Sequence, residues 1–378
     1  MTKHFVEGSQ AVAETVARCR PQVISAYPIT PQTHIVAELA QLVADGELKA
    51  EYVNVESEHS AASAVLGALA TGARAYTSTT SQGLLLMNEV LYNIAGMRLP
   101  AVMTCVNRSV SAPLNIWTDH QDSISVRDSG WMQFYAEDNQ ESVDLLIQAY
   151  RVAEDHRIML PAMACMDGFV LTHAYEAIDI PEQEQVDAFL PPYQPVYRLD
   201  PDSPLTLGAY TEPDKYTEAR YMIHQAMLKA LDIIPGVCAE FKKAFGRASG
   251  GLVQGYKLED ATTAIVAMGS IMGVVKQTVD RLRARGRKVG ALRVITYRPF
   301  PSEAIAAALE GMRNVVVLER AISLGSGGPL ATELRSAFQG RRGAPRITST
   351  VCGLGGRDIT GKTIQEALDK SRDGFGGA

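Results

Sequence analysis

Short apolar runs alternate with segments of helical length along the first half of the chain, and this alternation restricts the fold more than any other feature. The runs that predict buried strands are residues 23–27, 52–55, 75–79, 101–106 and 158–166. Continuous apolar strands that alternate with helices are typical of a parallel sheet covered by helices on both faces. The sequence therefore predicts an α/β fold.

The pattern changes after residue 180. Seven prolines between Pro181 and Pro213 interrupt a polar stretch, which we expect to form neither strand nor helix. A helical pattern at 216–231 follows, and then a second α/β pattern with predicted strands at 264–268, 290–295, 314–318 and 346–351. The predicted organisation is an α/β domain over residues 1–180, a Pro-rich connection and helical segment over 181–255, and a smaller α/β domain over 256–370.

Composition excludes several classes of function. The 378 residues carry a net charge of −6 and no basic patch, which argues against binding to nucleic acid. No run approaches the roughly 20 apolar residues of a membrane span, and the first residues form no apolar signal stretch. The five cysteines are scattered and include no Cys-x-x-Cys pair, which predicts inert thiols in a reducing compartment. We therefore expect a cytoplasmic protein without iron–sulfur ligands of its own.

The loop at 27–32 follows the first predicted strand directly. Ligands of open parallel sheets bind outside the carboxyl ends of the strands, which is where this loop would lie. Pro28 and Pro31 restrict the loop, and Thr30 presents a hydroxyl on that frame. Thr30 could equally cap the following helix, with Pro31 at its first position.

Two carboxylates, Glu56 and Glu58, stand between the second predicted strand and a helix rich in small residues. Burial would raise the pKa of a glutamate here and make it useful near neutral pH. The alternative is that both residues only complement the dipole at the start of the helix. His59 is a further candidate general base.

Two more loops complete the set of candidates. The hydroxyl-rich turn at 77–83 could present backbone donors to a ligand or a neighbouring subunit. Arg108 ends the fourth predicted strand, where a guanidinium could clamp a carboxylate or tie down its own loop. The acids that flank His120 have no further ligands at suitable spacing, so we expect no metal site in this chain.

The sequence lacks complete catalytic machinery. It contains no P-loop, no Gly-x-Gly-x-x-Gly after a strand and no Gly-x-Ser-x-Gly elbow. In their order along the chain, the loops instead resemble those of the alpha subunit of pyruvate:ferredoxin oxidoreductase and its 2-oxoacid relatives. The matching stretches are YPITPQT at 27–33, ESEHSA at 56–61, TSQGLLLMNE at 80–89, NR at 107–108, DHQDS at 119–123, RDSGW at 127–131, DGF at 167–169, MGS at 268–270, RPFP at 298–301 and GSGGPL at 325–330.

The resemblance implies a fold and a site. The first domain should be similar to the pyrimidine-binding domain of thiamine-diphosphate enzymes, and the second to the transketolase C-terminal domain. The family's catalytic glutamate directly precedes the small-residue helix, so the resemblance favours Glu58 over Glu56 as the partner of N1′ of the aminopyrimidine. It assigns the substrate carboxylate to Thr30 and Arg108, the pocket wall to Pro28 and Ile29, and further cofactor contacts to Gln82 and Gly83.

The resemblance also implies partners. The Gly-Asp-Gly…Asn motif that binds diphosphate and Mg in this family is absent from the sequence, as are cluster cysteines. A beta subunit should supply the motif, and gamma and delta subunits, or fusions, should supply iron–sulfur clusters. The implied reaction is the CoA-dependent oxidative decarboxylation of pyruvate to acetyl-CoA, with electrons passed to ferredoxin. The alternatives are phenylglyoxylate or another 2-oxoacid, with NAD as final acceptor through a flavin subunit, and a non-catalytic assembly subunit.

Overall fold

A computed structural model describes residues 3–372. Its strands are β1 (His4–Glu7), β2 (Val23–Ala26), β3 (Glu51–Asn54), β4 (Ala75–Thr79), β5 (Val102–Asn107), β6 (Met132–Tyr135), β7 (Ala162–Asp167), β8 (Tyr175–Ile178), β9 (Val253–Tyr256), β10 (Thr263–Ala267), β11 (Val289–Val294), β12 (Thr296–Arg298), β13 (Asn314–Glu319) and β14 (Arg346–Val351). Its helices are α1 (Gly8–Arg18), α2 (Thr33–Ala44), α3 (Glu58–Ala70), α4 (Ser81–Gly96), α5 (Gln121–Ser125), α6 (Asn139–Ala153), α7 (Gln183–Phe189), α8 (Pro213–Phe245), α9 (Met272–Arg283), α10 (Ser302–Ala308), α11 (Pro329–Phe338) and α12 (Gly361–Arg372).

The first sheet has seven strands in the order β12-β6-β7-β5-β4-β2-β3. Every pairing in it is parallel except that of β12 with β6. All residues of β4, β5 and β7 are buried, as expected for strands of a parallel sheet that helices cover on both faces. Parallel strands place their carboxyl ends at one edge, so the loops after β2, β3, β4, β5 and β7 share that edge.

The second sheet has five strands in the order β14-β13-β10-β11-β9, and only β9 is antiparallel to its neighbour. Strand β12 lies just after this sheet's β11 in sequence but pairs with β6 of the first sheet. The two halves of the chain are therefore tied together by shared strand pairing. The three-part division of the chain stays a prediction.

The stretch between Pro181 and Pro213 contains a helix, which corrects the expectation that it would form none. Helix α7 occupies the proline-free residues 183–189, and it buries Val186 and Phe189. The Phe189 ring packs 5.5 Å from the rings of both Phe241 and Phe245 in α8. Tertiary packing therefore stabilises a helix too short to persist alone. Helix α8 extends well beyond the predicted residues 216–231.

The predicted strand at 158–166 was too long. Strand β7 begins only at Ala162, and the preceding apolar residues form a buried turn. A buried turn and a buried strand present the same apolar sequence, so periodicity alone does not separate them. Within residues 3–372, no helix combines the length and the hydropathy that crossing a bilayer requires.

Candidate active site

The loops at the carboxyl edge of the first sheet contact one another directly. After β5, the Arg108 side chain donates from Nη1 to the Thr30 carbonyl of the loop after β2, at 2.8 Å. After β7, Gly168 approaches Pro31 so closely that a Cβ at Gly168 would lie 2.6 Å from the proline ring. The structure therefore brings the candidate loops into one cluster, as the topology of a parallel sheet predicts.

The two candidate glutamates differ in environment. Glu58 lies in the first turn of α3 and is only 7% exposed, while Ser57 caps the helix by accepting from the Ser60 N–H. Glu56 is exposed, and its carboxylate accepts a hydrogen bond from the Ser60 hydroxyl, which lowers its pKa. His59 is partly buried. Of the two carboxylates, Glu58 is the one placed inside the loop cluster.

Glu58 packs against the start of α4, where Gln82 and Gly83 form what we call the cradle. A Cβ at Gly83 would lie 2.7 Å from Glu58 Oε1 and 2.5 Å from the Thr79 hydroxyl, so a larger residue does not fit there unless one of them moves. The Thr79 and Thr80 hydroxyls are buried and have no hydrogen-bond partner in the part of the chain that the structure describes. Buried polar groups are normally paired. A buried carboxylate beside an unpaired hydroxyl fits a polar ligand, such as the aminopyrimidine that the resemblance implies.

The neighbouring cofactor candidate, Gln82, is held by its own loop. Its amide oxygen accepts from the Ser81 hydroxyl at 2.5 Å, and its Nε2 donates to the Ser111 carbonyl at 3.4 Å. Ser81 adopts a φ of 48°, which is unusual for a residue other than glycine. Strain of this kind persists only where the surroundings determine the backbone.

Thr30 does not cap a helix, so that alternative was wrong. Helix α2 begins at Thr33 with Gln32 in the cap position, and Pro31 precedes it. The reason is that the Gln32 side chain turns inward and donates to Ser78, which anchors the loop before the helix starts. Thr30 is exposed at the edge of the cluster, as is Pro28, and Ile29 is partly buried.

Arg108 fulfils the structural one of the two roles that the sequence left open, and its role as a clamp for a carboxylate stays a prediction. Besides the Thr30 carbonyl, its guanidinium donates from Nε to the Asn115 carbonyl at 3.1 Å, so it does tie down loops. A guanidinium has five N–H donors, and these two hydrogen bonds leave others for a ligand. Burial lowers the pKa of Arg108, but an arginine remains charged at neutral pH.

Asp122 is a site residue that the sequence reasoning missed. It is completely buried, and its Oδ2 accepts from the backbone N–H groups of Ser81, at 3.1 Å, and Arg108, at 2.9 Å. Its Oδ1 accepts from Asn107 Nδ2 at 2.8 Å and from the Ser123 N–H at 2.7 Å. Burial raises the pKa of Asp122 to about 7, while the four hydrogen bonds act in the opposite direction. The DHQDS stretch was the available signal: with RDSGW it pointed to pyruvate as the substrate, but Asp122 itself was given no role in the site.

A second buried carboxylate, Asp167, joins the two sheets. Its Oδ2 lies 2.6 Å from Arg320 Nη1 and accepts from the Ser270 N–H at 2.9 Å, and its Oδ1 lies 3.1 Å from His120 Nε2. Burial alone would raise the pKa of Asp167, but Arg320 and then His120 hold it well below its ordinary value. Burial lowers the pKa of His120. The DHQDS, DGF and MGS stretches therefore meet at one junction.

A further cluster of side chains lies near the start of α2. Glu7, His34 and His173 have potential metal-ligating atoms within 4.8 Å of one another. His34 Nδ1 lies 2.7 Å from Glu7 Oε1, so these two side chains already pair with each other. The expectation that this chain holds no metal stays a prediction.

Two family models match this chain. The model described as "Pyruvate flavodoxin/ferredoxin oxidoreductase, thiamine diP-bdg" matches residues 14–237, which is more than half of the sequence. The chain belongs to this family. The model of the pyruvate:ferredoxin oxidoreductase core domain II matches residues 261–364. The expected family and the α/β fold class are confirmed.

Individual relatives agree with this assignment. Pyruvate synthase subunit PorA of Methanosarcina barkeri is 53% identical, over 97% of this chain and 92% of its own length. Among solved structures, a 2-oxoglutarate:ferredoxin oxidoreductase from Magnetococcus marinus matches with a TM-score of 0.75 at 20% identity. That match covers 98% of this chain and 65% of the other. A split-gene transketolase matches with a TM-score of 0.57 at 12% identity, over 97% of this chain and 98% of the other. Both structural matches concern the fold alone.

Proposed function

We propose that this chain is the alpha subunit of a heteromeric enzyme that oxidatively decarboxylates pyruvate in the presence of CoA, yielding acetyl-CoA and CO₂ and passing electrons to ferredoxin. The observation that carries the proposal is the 53% identity to a pyruvate synthase subunit over nearly the full length of both chains. The cluster of Glu58, Thr30 and Arg108 supports it, because a subunit that had lost its chemistry would have no need to keep all three.

The Glu58 cradle is our candidate for the pyrimidine half of a thiamine-diphosphate site. When bound, thiamine diphosphate supplies the nucleophilic carbon and the electron sink that decarboxylation of a 2-oxoacid requires. Glu58 would hold a proton between its carboxylate and N1′ of the aminopyrimidine, and its low exposure keeps water from competing for that proton. Gly83 makes room for the Glu58 carboxylate because it carries no Cβ, and Gln82 lies on the same helical turn as Gly83.

Arg108 and Thr30 are our candidates for binding the substrate carboxylate. Arg108 is fixed by the Thr30 and Asn115 carbonyls, so its remaining donors are preoriented. Thr30 is an exposed residue whose carbonyl contacts Arg108, and Pro28 and Ile29 precede it in the same loop. A fixed carboxylate orients the bond that breaks during decarboxylation.

The remaining machinery is assigned to partners. A beta subunit would carry the diphosphate and Mg motif, and gamma and delta subunits or fusions would carry the iron–sulfur clusters. Ferredoxin is the proposed acceptor, with NAD through a flavin subunit as the variant arrangement. We also propose a cytoplasmic location, because the five cysteines are free and scattered.

The test is to purify the chain from its native host together with its partners and to assay CoA-dependent viologen reduction with a panel of 2-oxoacids. We expect a brown complex that contains thiamine diphosphate and reduces the dye with pyruvate. If the complex preferred phenylglyoxylate or a branched-chain 2-oxoacid, the proposed substrate would be wrong but the proposed type of reaction would still hold. A colourless, inactive protein that purifies alone would overturn the proposal.

A further inference from the structure

A single buried carboxylate, that of Asp122, connects the two halves of the candidate site. Its Oδ2 accepts two backbone hydrogen bonds, from Ser81 and from Arg108. Ser81 immediately precedes Gln82 and Gly83, which form the cofactor cradle, whereas Arg108 is the candidate substrate arginine. One oxygen atom therefore joins the two loops.

The other oxygen of Asp122 is held just as firmly. Oδ1 accepts from Asn107 Nδ2 and from the Ser123 N–H, and Asn107 Nδ2 also donates to the Ser123 hydroxyl at 2.7 Å. All four partners are N–H donors, so the arrangement suits an ionised carboxylate that accepts at every position. A residue bonded on all sides in this way has little freedom to shift.

The segment that carries Asp122 is itself anchored to the second half of the chain. Asp119 Oδ2 accepts from the Gly355 N–H at 2.9 Å, and the Gln121 side chain accepts from the Ile322 N–H at 2.5 Å. The His120 N–H donates to the Arg320 carbonyl at 2.7 Å. The segment that carries Asp122 is therefore hydrogen-bonded both to the site loops of the first sheet and to the second half of the chain.

We propose that Asp122 is a positioning residue that holds Arg108 and the Gly83 cradle in register, so that the substrate carboxylate and the cofactor meet in the reactive arrangement. The inference rests on the proposed function. It adds that the strands alone do not set the spacing between the two loops, and that Asp122 contributes to it alongside the Ser81–Ser109 and Gln82–Ser111 hydrogen bonds. Asp122 acts through the backbone of its neighbours and does not touch the reacting atoms.

The experiment compares Asp122→Ala with Asp122→Asn in the assembled complex. Alanine removes the acceptor for all four donors, and each buried donor left unpaired costs roughly 1–3 kcal/mol. We expect KM for pyruvate to rise about 10-fold, because Arg108 shifts, and kcat to fall by about the same factor, because the cradle shifts.

Asparagine should largely rescue the enzyme. Its amide oxygen can accept from the Ser81 and Arg108 N–H groups of the two site loops, while its Nδ2 faces Asn107 and leaves the Ser123 N–H as the one unpaired donor. The Asn107 Oδ1 has no hydrogen-bond partner among the described residues, so its amide can turn and accept. We expect KM and kcat of Asp122→Asn within about 3-fold of the wild type.

Asp144→Asn is the matched control. Asp144 is also a buried carboxylate that accepts hydrogen bonds from a residue far along the chain, here Arg247, and it contacts neither the site loops nor the segment that carries Asp122. We expect this variant to lower the thermal midpoint while KM stays at the wild-type value. If Asp122→Ala likewise lowered only the midpoint, Asp122 would be a structural residue and the inference would be wrong.

A gentler variant covers the case in which Asp122→Ala does not assemble. Asp122→Asn combined with Asn107→Ala removes the amide that turns, and we expect KM to rise about 10-fold in the double variant but not in either single one. If KM stayed at the wild-type value in the double variant as well as in both single variants, the inference would be wrong.

Arg108→Ala separates this outcome from a failure of the proposed function. A wild-type KM in Arg108→Ala would contradict the assignment of the substrate site. A raised KM in Arg108→Ala would mean that any failure concerns the role of Asp122 alone.

Discussion

Two buried carboxylates of the first sheet, Glu58 and Asp167, have opposite surroundings. Asp167 follows β7 and is matched by Arg320, His120 and Ser270, so its charge is compensated within the chain. Glu58 follows β3 and lies instead beside Gly83 and a Thr79 hydroxyl that is unpaired among the described residues. A carboxylate with a complete set of partners holds the structure together. One whose neighbours are left unpaired is available to a ligand.

This comparison separates residues that stability requires from residues that turnover requires. Loss of an Asp167 partner should cost folding free energy, because a buried charge left alone is expensive. Loss of the Glu58 charge should cost little stability, because few partners lose a contact. The four predictions that follow test this division.

The largest effect on stability is expected for Arg320→Ala. Removing one partner of a buried ion pair costs about 3–5 kcal/mol, and Asp167 is only 1% exposed. The measurement is the denaturant midpoint of the purified complex. Lys229→Ala is the control, since its pair with Asp232 is exposed at 3.0 Å and should contribute no more than about 0.5 kcal/mol. Equal shifts of the denaturant midpoint in the two variants would mean that the buried Asp167–Arg320 pair contributes no more to stability than an exposed pair.

The largest effect on turnover is expected for Glu58→Gln. The amide preserves the shape of the side chain but does not exchange a proton, and acid–base groups typically contribute at least about 10²-fold. We expect kcat to fall by about that factor, while the iron–sulfur content and the thermal midpoint of the complex stay unchanged. Glu56→Gln is the matched control and should retain activity, because Glu56 is exposed. A larger loss in the control than in Glu58→Gln would transfer the role to Glu56.

The pH dependence of stability should report on Asp167. Its folded-state pKa lies well below the ordinary value, so the folded carboxylate binds its proton less tightly than the unfolded one, which titrates near about 3.9. The stabilisation is therefore complete above about pH 5 and is lost as the pH falls through the folded-state pKa. We expect Asp167→Asn to be less stable than the wild type at pH 7, with the difference in the free energy of unfolding narrowing as the pH falls below about 5. A gap that stayed constant from pH 7 to pH 3 would contradict this assignment.

The sequence predicted local elements better than it predicted the site's connections. The strand at 75–79 and the strand at 346–351 were predicted at their observed bounds, because their Thr, Tyr, Ile and Val residues favour strands. Strand β12 was missed, since three residues carry no periodicity and its pairing with β6 is set by tertiary structure. Motifs in the loops that follow strands were the basis for proposing Glu58, Arg108 and the residues of the pocket wall.

The junction was beyond sequence reasoning for a different reason. Asp167 and Arg320 belong to different halves of the chain, and neither local pattern nor spacing indicates that they meet. Asp122 was similarly hidden, because its partners are mostly backbone N–H groups, which are present at nearly every residue and leave no mark in the sequence. Buried polar pairing of this kind is visible only once the strands are placed.

The smallest predicted effect concerns the space beside Glu58. Gly83→Ala would place a Cβ 2.7 Å from Glu58 Oε1 and 2.5 Å from the Thr79 hydroxyl, so one of the two must move. Overpacking of this size costs about 1–3 kcal/mol, and we expect kcat/KM for pyruvate to fall about 10-fold as the cradle distorts. Gly67→Ala in α3 is the control, because nothing lies within 4 Å of its added methyl group, and it should leave activity unchanged. Full activity in Gly83→Ala would mean that turnover does not require Glu58 to be held in this exact position. Glu58 and Asp167 would then differ in how their charges are paired and not in how closely their positions are fixed.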